Sequence, residues 1–242
     1  MLRVDSLENG YSICQDTDLF CFGIDAVLLA HYCPLKAGDE VMDLGTGNGV
    51  IPLIMKGVAR DAGIRAHFTG LEIQAPSAAL AKQSVAMNGL ASDIEIVEGD
   101  IKEAAARFGA ASFSLVTCNP PYMAGGAGLV NESLEKMAAR HEVLVTLDDV
   151  ISQGAALLKE RGRFGMIHRP HRLTDIIVAM RAARCEVKRL RLVCPKAGKA
   201  PTMVLVEAVK GGRPYLTVEP PLIIYGEDGQ YTEEVLRIYG KI

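Results

Sequence analysis

The sequence predicts an α/β protein: a mostly parallel, twisted sheet with helices on both faces and an antiparallel hairpin at its C-terminal end. Three observations carry that prediction. From Val41 onward, short β-branched runs alternate with longer amphipathic stretches, the rhythm of successive βαβ units. A glycine cluster, "LGTGNG" at 44–49, stands between one such run and the helix-like stretch after it. Near the end, two strand-like runs are joined only by a segment rich in Lys, Gly and Pro, which suits a hairpin rather than a crossover.

The elements follow in order. Residues 1–40 are expected to form an N-terminal appendage to a single domain spanning 1–242. In it Phe20, Phe22 and Ile24 alternate with polar or small residues as a strand does, and Asp25 stands as N-cap before the helical run "AVLLAHY". Strands are predicted at 40–44, 67–72, 94–97 and 113–118, with helices over Val50 to Arg60, Ala75 to Asn88 and Ile101 to Phe108. Pro76 sits in the opening turn of its helix, where the missing donor costs nothing, and Gly89 stops it. Residues 133–159 read as helical with a break near Thr146 to Asp149. A strand at 162–169, a helix at 172–183 and the hairpin strands 187–194 and 202–209 complete the pattern.

With 242 residues, 49% apolar and 23% charged, the chain can bury one full core and has no low-complexity tract. The amino terminus turns polar at once and no run of about 18 apolar residues occurs, so a cytoplasmic protein is expected, without a membrane segment. Six cysteines lack CxxC spacing and five histidines lack HExxH, so no metal is expected. Cys118, on an apolar strand beside Thr117, reads as a buried small side chain. The net charge of −3 hides an asymmetry: residues 1–120 carry 8 basic against 15 acidic side chains, residues 161–213 carry 13 against 3. Such a split suits a region that handles a polyanion.

Chemistry concentrates at the predicted strand ends. Gly45, Gly47 and Gly49 permit a tight turn and a close approach of the backbone to a ligand. Glu72 ends the next strand, where a carboxylate can accept both hydroxyls of a ribose, and Asp100 follows the third; their plain readings are a surface charge and a helix N-cap. The spacing is GxGxG and no GxxxxGK[ST] occurs, which disfavours a nucleotide triphosphatase. A dinucleotide needs pyrophosphate donors and prefers GxGxxG; S-adenosylmethionine has a cationic end that suits Asp43 at the sheet edge. The strand at 113–118 runs into Asn119, Pro120, Pro121 and Tyr122, a stiff corner whose plain reading is an Asx-type turn.

The succession Asp43 to Gly49, Glu72, Asp100 and Asn119 to Tyr122 resembles class I S-adenosylmethionine-dependent methyltransferases that act on planar amines. Outside that core, "QDTDLFCFGIDAVLLAHY", "ARHE" at 139–142, "HRPHRL" at 168–173, "KRLRLV" at 188–193 and the tail at 221–240 are similar to the bacterial tRNA adenine-N6 methyltransferases acting beside the anticodon of valine tRNA. The resemblance implies a Rossmann-like class I methyltransferase fold with a seven-stranded sheet. It implies S-adenosyl-L-methionine as cofactor, tRNA as substrate and no obligate protein partner. It further implies that the 1–40 appendage covers the cofactor site, with Gly23 and Asp25 closing over the methionine end of the cofactor.

The resemblance also gives the corner a mechanism. The Asn119 side-chain oxygen and the Pro120 carbonyl can accept the two hydrogens of an exocyclic amine. Pro121 holds Pro120 extended, and Tyr122 stacks on the base. Contacts to RNA are expected from Arg140, His141, His168, Arg169, His171 and Arg172, and further along from Lys188, Arg189, Arg191, Lys196 and Lys199. On a regular strand Arg189 and Arg191 face away from Lys188, so not all meet one ligand. A protein glutamine methyltransferase shares the chemistry without needing the basic segment, and a DNA adenine methyltransferase would want a target-recognition domain. An NAD-linked oxidoreductase leaves the NPPY corner unexplained; a noncatalytic RNA-binding module leaves the intact acids unexplained.

Overall fold

The βαβ rhythm is realised strand by strand in the structure, a computed structural model that describes residues 1–19, 21–120 and 145–242. Two strands, β1 (Leu2–Ser6) and β2 (Ser12–Asp16), pair antiparallel at the start and lead to helix α1 (Ile24–Tyr32). Then β3 (Asp39–Leu44), α2 (Val50–Asp61), β4 (Ala66–Glu72), α3 (Ala75–Met87) and β5 (Ile94–Glu98) alternate as expected. A 3-10 turn, Ile101–Glu103, and the short α4 (Ala104–Phe108) take the place of one regular helix before β6 (Phe113–Cys118). After them come α5 (Leu147–Leu157), β7 (Leu158–His168), α6 (Leu173–Ala182), β8 (Cys185–Cys194), β9 (Met203–Lys210), β10 (Thr217–Ile223) and α7 (Glu233–Ile238).

The main sheet has eight strands in the order β10, β8, β9, β7, β6, β3, β4, β5, and among them β9 alone runs against its neighbours. The expected count of seven is therefore one short. The extra strand is β10, whose Pro220 and Pro221 make it look like loop. It lies on the outer edge beside β8, with a register shift between Glu219 and Leu222, and an edge strand tolerates residues that cannot donate to a ladder. The β8–β9 hairpin is antiparallel as predicted but sits inside the sheet, between β10 and β7.

Two further expectations change. No strand runs through Phe22 and Ile24: Phe22 is loop and Ile24 opens α1, while Phe20 lies outside the described residues. Gly23, not Asp25, is the N-cap of α1, so the Asp25 carboxylate is released for another partner. The break expected near Thr146 is a helix start. Thr146 Oγ1 accepts from the Asp149 N–H at 3.1 Å and Asp149 Oδ2 accepts from the Thr146 N–H at 3.0 Å, a reciprocal cap.

Successive strand residues point to opposite faces, and each face has its own core. Val41, Leu115 and Leu205 pack with α1, α2 and α3 on one side; Met42, Val116, Val204 and Val206 pack with α4, α5 and α6 on the other. Full burial of side chains such as Leu53, Phe68 and Phe164 is worth about 1.5–3 kcal/mol each. The appendage is sewn onto the first face by polar contacts: Asn9 Nδ2 donates to the Leu53 carbonyl, the Cys14 N–H to Ser84 Oγ and the Ser12 N–H to Asn88 Oδ1. No described helix is long and apolar enough to cross a membrane.

Candidate active site

Parallel pairing brings the carboxyl ends of the central strands to one rim. Leu44 pairs with Leu71 on one side and with Cys118 on the other, and Glu72 pairs with Glu98. The chain reverses its direction of winding between β3 and β6, and open α/β sheets bind ligands at such a switch point.

The glycine turn is built on this rim. Gly45, Gly47 and Gly49 hold φ of 72°, 58° and 83°, the left-handed region in which a side chain is strained. The N–H groups of Gly45 and Thr46 donate to the Leu71 carbonyl, which ties the turn to β4. Glu72, 5% exposed, completes the tie: Oε2 accepts from the Gly47 N–H at 2.9 Å and Oε1 from the Gln74 N–H at 2.8 Å. Each carboxylate oxygen keeps a second lone pair for a ligand.

Asp43 lies beneath the turn, 1% exposed. Its Oδ1 accepts from Thr117 Oγ1 at 2.7 Å; Oδ2 and the nearby Thr46 hydroxyl have no hydrogen-bond partner among the described residues. Burial pushes the carboxyl up to about 7; the Thr117 hydroxyl offsets part of the rise and the Glu72 charge adds to it. A buried acid with an unpartnered oxygen is a place for a cation or a donor.

Asp100 serves the plain role foreseen for it, with Oδ1 accepting from the Lys102 N–H at 2.9 Å as cap of the 3-10 turn. Asn119 follows β6 directly, and its Nδ2 donates to Asp25 Oδ2 at 3.1 Å. Pro120 is beside it, half-buried. Pro121, Tyr122, Arg140 and His141 lie outside the described residues. Cys118 is buried and its thiol is raised well above its ordinary value, first by burial and then by the Asp43 charge, which suits packing rather than reactivity.

Several supporting residues were not singled out by the sequence. Thr46 and Thr117 shape the surroundings of Asp43. Gly70, inside β4, makes room for Thr46, since a Cβ there would stand 2.7 Å from Thr46 Cγ2; a lone glycine in a strand was the available signal. Gln15 on β2 links the appendage to the turn, its Oε1 accepting from Asn48 Nδ2 at 3.4 Å and from the Phe22 N–H at 3.3 Å.

The basic segment divides into two groups. Arg163 is buried against Asp39, Arg189 pairs with Glu219 and Glu207, and Arg191 pairs with Glu234. Several of their partners lie outside 161–213, so counting charge within that window overstated the surplus. A register shift between Val187 and Arg189 also breaks the regular alternation expected there. Arg169, His171 and Arg172 follow β7 at the rim side, with Arg169 Nη1 donating to the Thr202 carbonyl and Arg172 Nε paired with Asp175. His168 is 7% exposed, and burial with the charges of Arg172, His171 and Arg169 lowers it to about 4. It is a neutral group at pH 7, its Nδ1 accepting from the Arg169 N–H. Among the described residues no group of three or more His, Cys, Asp or Glu could hold a metal ion.

A sheet of this order, with a glycine turn after β3, an acid ending β4 and another after β5, and an amide directly after β6, defines a Rossmann-like class I methyltransferase fold. A family model described as methyltransferase small domain matches residues 11–188, and the chain belongs to that family. A tRNA1(Val) (adenine(37)-N6)-methyltransferase of Mannheimia succiniciproducens is 27% identical over 94% of this chain and 89% of its own length. The enzyme of the same name from Porphyromonas gingivalis is 28% identical over 89% and 86%. Among solved structures, a predicted O-methyltransferase of Agrobacterium tumefaciens superposes with a TM-score of 0.70 at 26% identity, covering 90% of this chain and 96% of that one. A geranyl diphosphate methyltransferase in complex with SAM, at 14% identity and a TM-score of 0.55 over 77% and 84%, shares the fold.

Proposed function

We propose that the protein transfers a methyl group from S-adenosylmethionine to the exocyclic N6 of adenine in tRNA, at the adenosine beside the anticodon of valine tRNA. The observation that carries this reading is Asn119, an amide at the end of β6 on the rim of the glycine turn, with its NH2 end committed to Asp25. The names of the relatives, which match over about nine-tenths of the chain, support tRNA and N6 of adenine as the target. A tRNA substrate places the work in the cytoplasm.

The residues fit the cofactor. The unpartnered Asp43 oxygen and the Thr46 hydroxyl suit its polar, cationic amino-acid end, Glu72 its ribose hydroxyls, and the glycine turn leaves backbone open to close approach. Gly23 and Asp25, at the start of α1, border the same site, and Asp100 borders its nucleoside end. Bound there, the cofactor supplies an electrophilic methyl group with its own leaving group.

An adenine amine is a weak nucleophile because its lone pair is delocalised into the ring. The side-chain oxygen of Asn119 and the Pro120 carbonyl accept its two hydrogens, turn the lone pair out of the ring plane towards the methyl group, and strengthen as positive charge builds on nitrogen. Placement therefore does most of the catalysis and no strong base is needed. Pro121 stiffens the corner and Tyr122 stacks on the extruded base, which by general experience is worth about 1–3 kcal/mol. Arg140, His141, Arg169, His171 and Arg172 meet the RNA backbone, and His168 contributes as a neutral group.

Incubation with labelled S-adenosylmethionine and total tRNA, followed by nucleoside analysis, tests the reading. The expected product is N6-methyladenosine in one isolated valine tRNA. Label found only in protein would overturn it in favour of a glutamine substrate.

A further inference from the structure

Asp25 and Asn119 are 94 residues apart in sequence and meet across the site. Asp25 is the second residue of α1, 9% exposed, and both of its oxygens are engaged: Oδ1 accepts from the Ala26 N–H at 3.0 Å and Oδ2 from Asn119 Nδ2 at 3.1 Å. A carboxylate can only accept, whereas an asparagine amide has a donor end and an acceptor end. The amide orientation is thus fixed by chemistry: the NH2 end faces Asp25, and the oxygen is turned away from it.

That choice matters for the reaction. A target amine presents two N–H groups, so it needs an acceptor; a flipped Asn119 would set donor against donor. Donation to a carboxylate also polarises the amide and makes its oxygen a better acceptor as charge develops on the amine. We propose that Asp25 is a positioning residue of methyl transfer: it sets the Asn119 amide so that the oxygen receives the target N–H. The proposal rests on the reading that Asn119 binds the target amine, and it gives Asp25 a task besides bordering the cofactor.

The test compares wild type with Asp25→Ala, Asp25→Ser, Asn119→Ala and the double variant Asp25→Ala/Asn119→Ala. The serine is the control for folding, because its hydroxyl can still accept a local backbone N–H at the start of α1 but is too short to reach Asn119. In each protein one measures kcat at saturating cofactor and tRNA, the KM for tRNA, cofactor Kd by calorimetry and the melting temperature. Both Asp25 variants are expected to lose roughly 10- to 100-fold in kcat. Because kcat is read at saturating cofactor, any weakening of cofactor Kd from losing a side chain at the cofactor's border does not enter it; the tRNA KM should stay within about threefold of wild type, and removing Asp25 from Asn119→Ala should cost less than about twofold more.

Three results would overturn the inference: kcat of Asp25→Ser within about twofold of wild type, full recovery of rate once cofactor is saturating, or losses that simply multiply in the double variant. The series also separates this inference from its foundation. No transfer to tRNA adenine by the wild type, or normal turnover by Asn119→Ala, defeats the functional reading itself. An active wild type and a strongly slowed Asn119→Ala beside a normal Asp25→Ser defeat only the role of Asp25.

Discussion

Replacing Asp43 by Asn should make the ligand-free protein more stable and a poorer binder of its cofactor. The carboxyl is fully buried and pushed from 3.8 to about 7, so carrying it ionised costs the folded state about 4 kcal/mol of stability above pH 7. Asparagine is neutral at every pH and keeps an acceptor for Thr117 Oγ1. Its NH2, however, would occupy the place of Oδ2, which has no partner among the described residues, at a cost of about 1–2 kcal/mol. The net gain expected at pH 8 is therefore about 2–3 kcal/mol.

The sign with pH is fixed by linkage. Below pH 3.8 Asp43 is protonated in both states and has no charge to bury; as pH rises towards 7 the unfolded chain releases a proton the folded one retains, and stability falls to a plateau above 7. Urea titrations at pH 4, 6 and 8, followed by far-UV circular dichroism because the chain has no Trp, should show the advantage of Asp43→Asn growing with pH. Calorimetry should show cofactor affinity reduced about tenfold or more, since a fixed counter-charge is lost. A variant less stable than wild type at pH 8, an advantage independent of pH, or unchanged cofactor affinity would refute the reasoning.

Other consequences can be checked alongside. Gly70→Ala should push Thr46 aside, because the new Cβ would lie 2.7 Å from Thr46 Cγ2 and 2.9 Å from Ile96 Cδ1; a loss of about 1–3 kcal/mol and weaker cofactor binding are expected in urea titration and calorimetry. His168 should titrate near pH 4 by NMR in the free protein, against 6.5 for an ordinary histidine. Its contribution to stability is present above 6.5 and is lost as pH falls from there towards 4, because the unfolded chain takes up the proton first. Arg169→Ala/Arg172→Ala should weaken tRNA binding and make its salt dependence shallower by roughly one to two phosphate contacts, read from log K against log salt. Arg189→Ala, which breaks pairs with Glu219 and Glu207, should leave that slope unchanged.

Much of this protein follows from local chemistry that one stretch of chain can carry alone. The β-branched runs and helical periods located β3 to β9 and most helices to within a few residues, because hydrophobic period and glycine or proline punctuation are local properties. The glycine turn is likewise local: only glycine is at ease at the φ of Gly45, Gly47 and Gly49. Thr146 announced a helix boundary because its cap closes within three residues.

What the sequence left open depends on neighbours that are distant along the chain. Two prolines made β10 look like loop until the sheet supplied an edge for it. Charge counting could not tell Arg169 and Arg172, beside the rim, from Arg163, Arg189 and Arg191, whose carboxylate partners arrive from other segments. Asp25 looked like a helix cap because an Asp before an apolar helical run is usually one, and only the folded chain brings Asn119 within hydrogen-bonding reach of it. The sequence by itself determined which groups could do chemistry here. Tertiary structure decided which of them face one another, since burial, ion pairing and amide orientation are properties of contacts and not of residues.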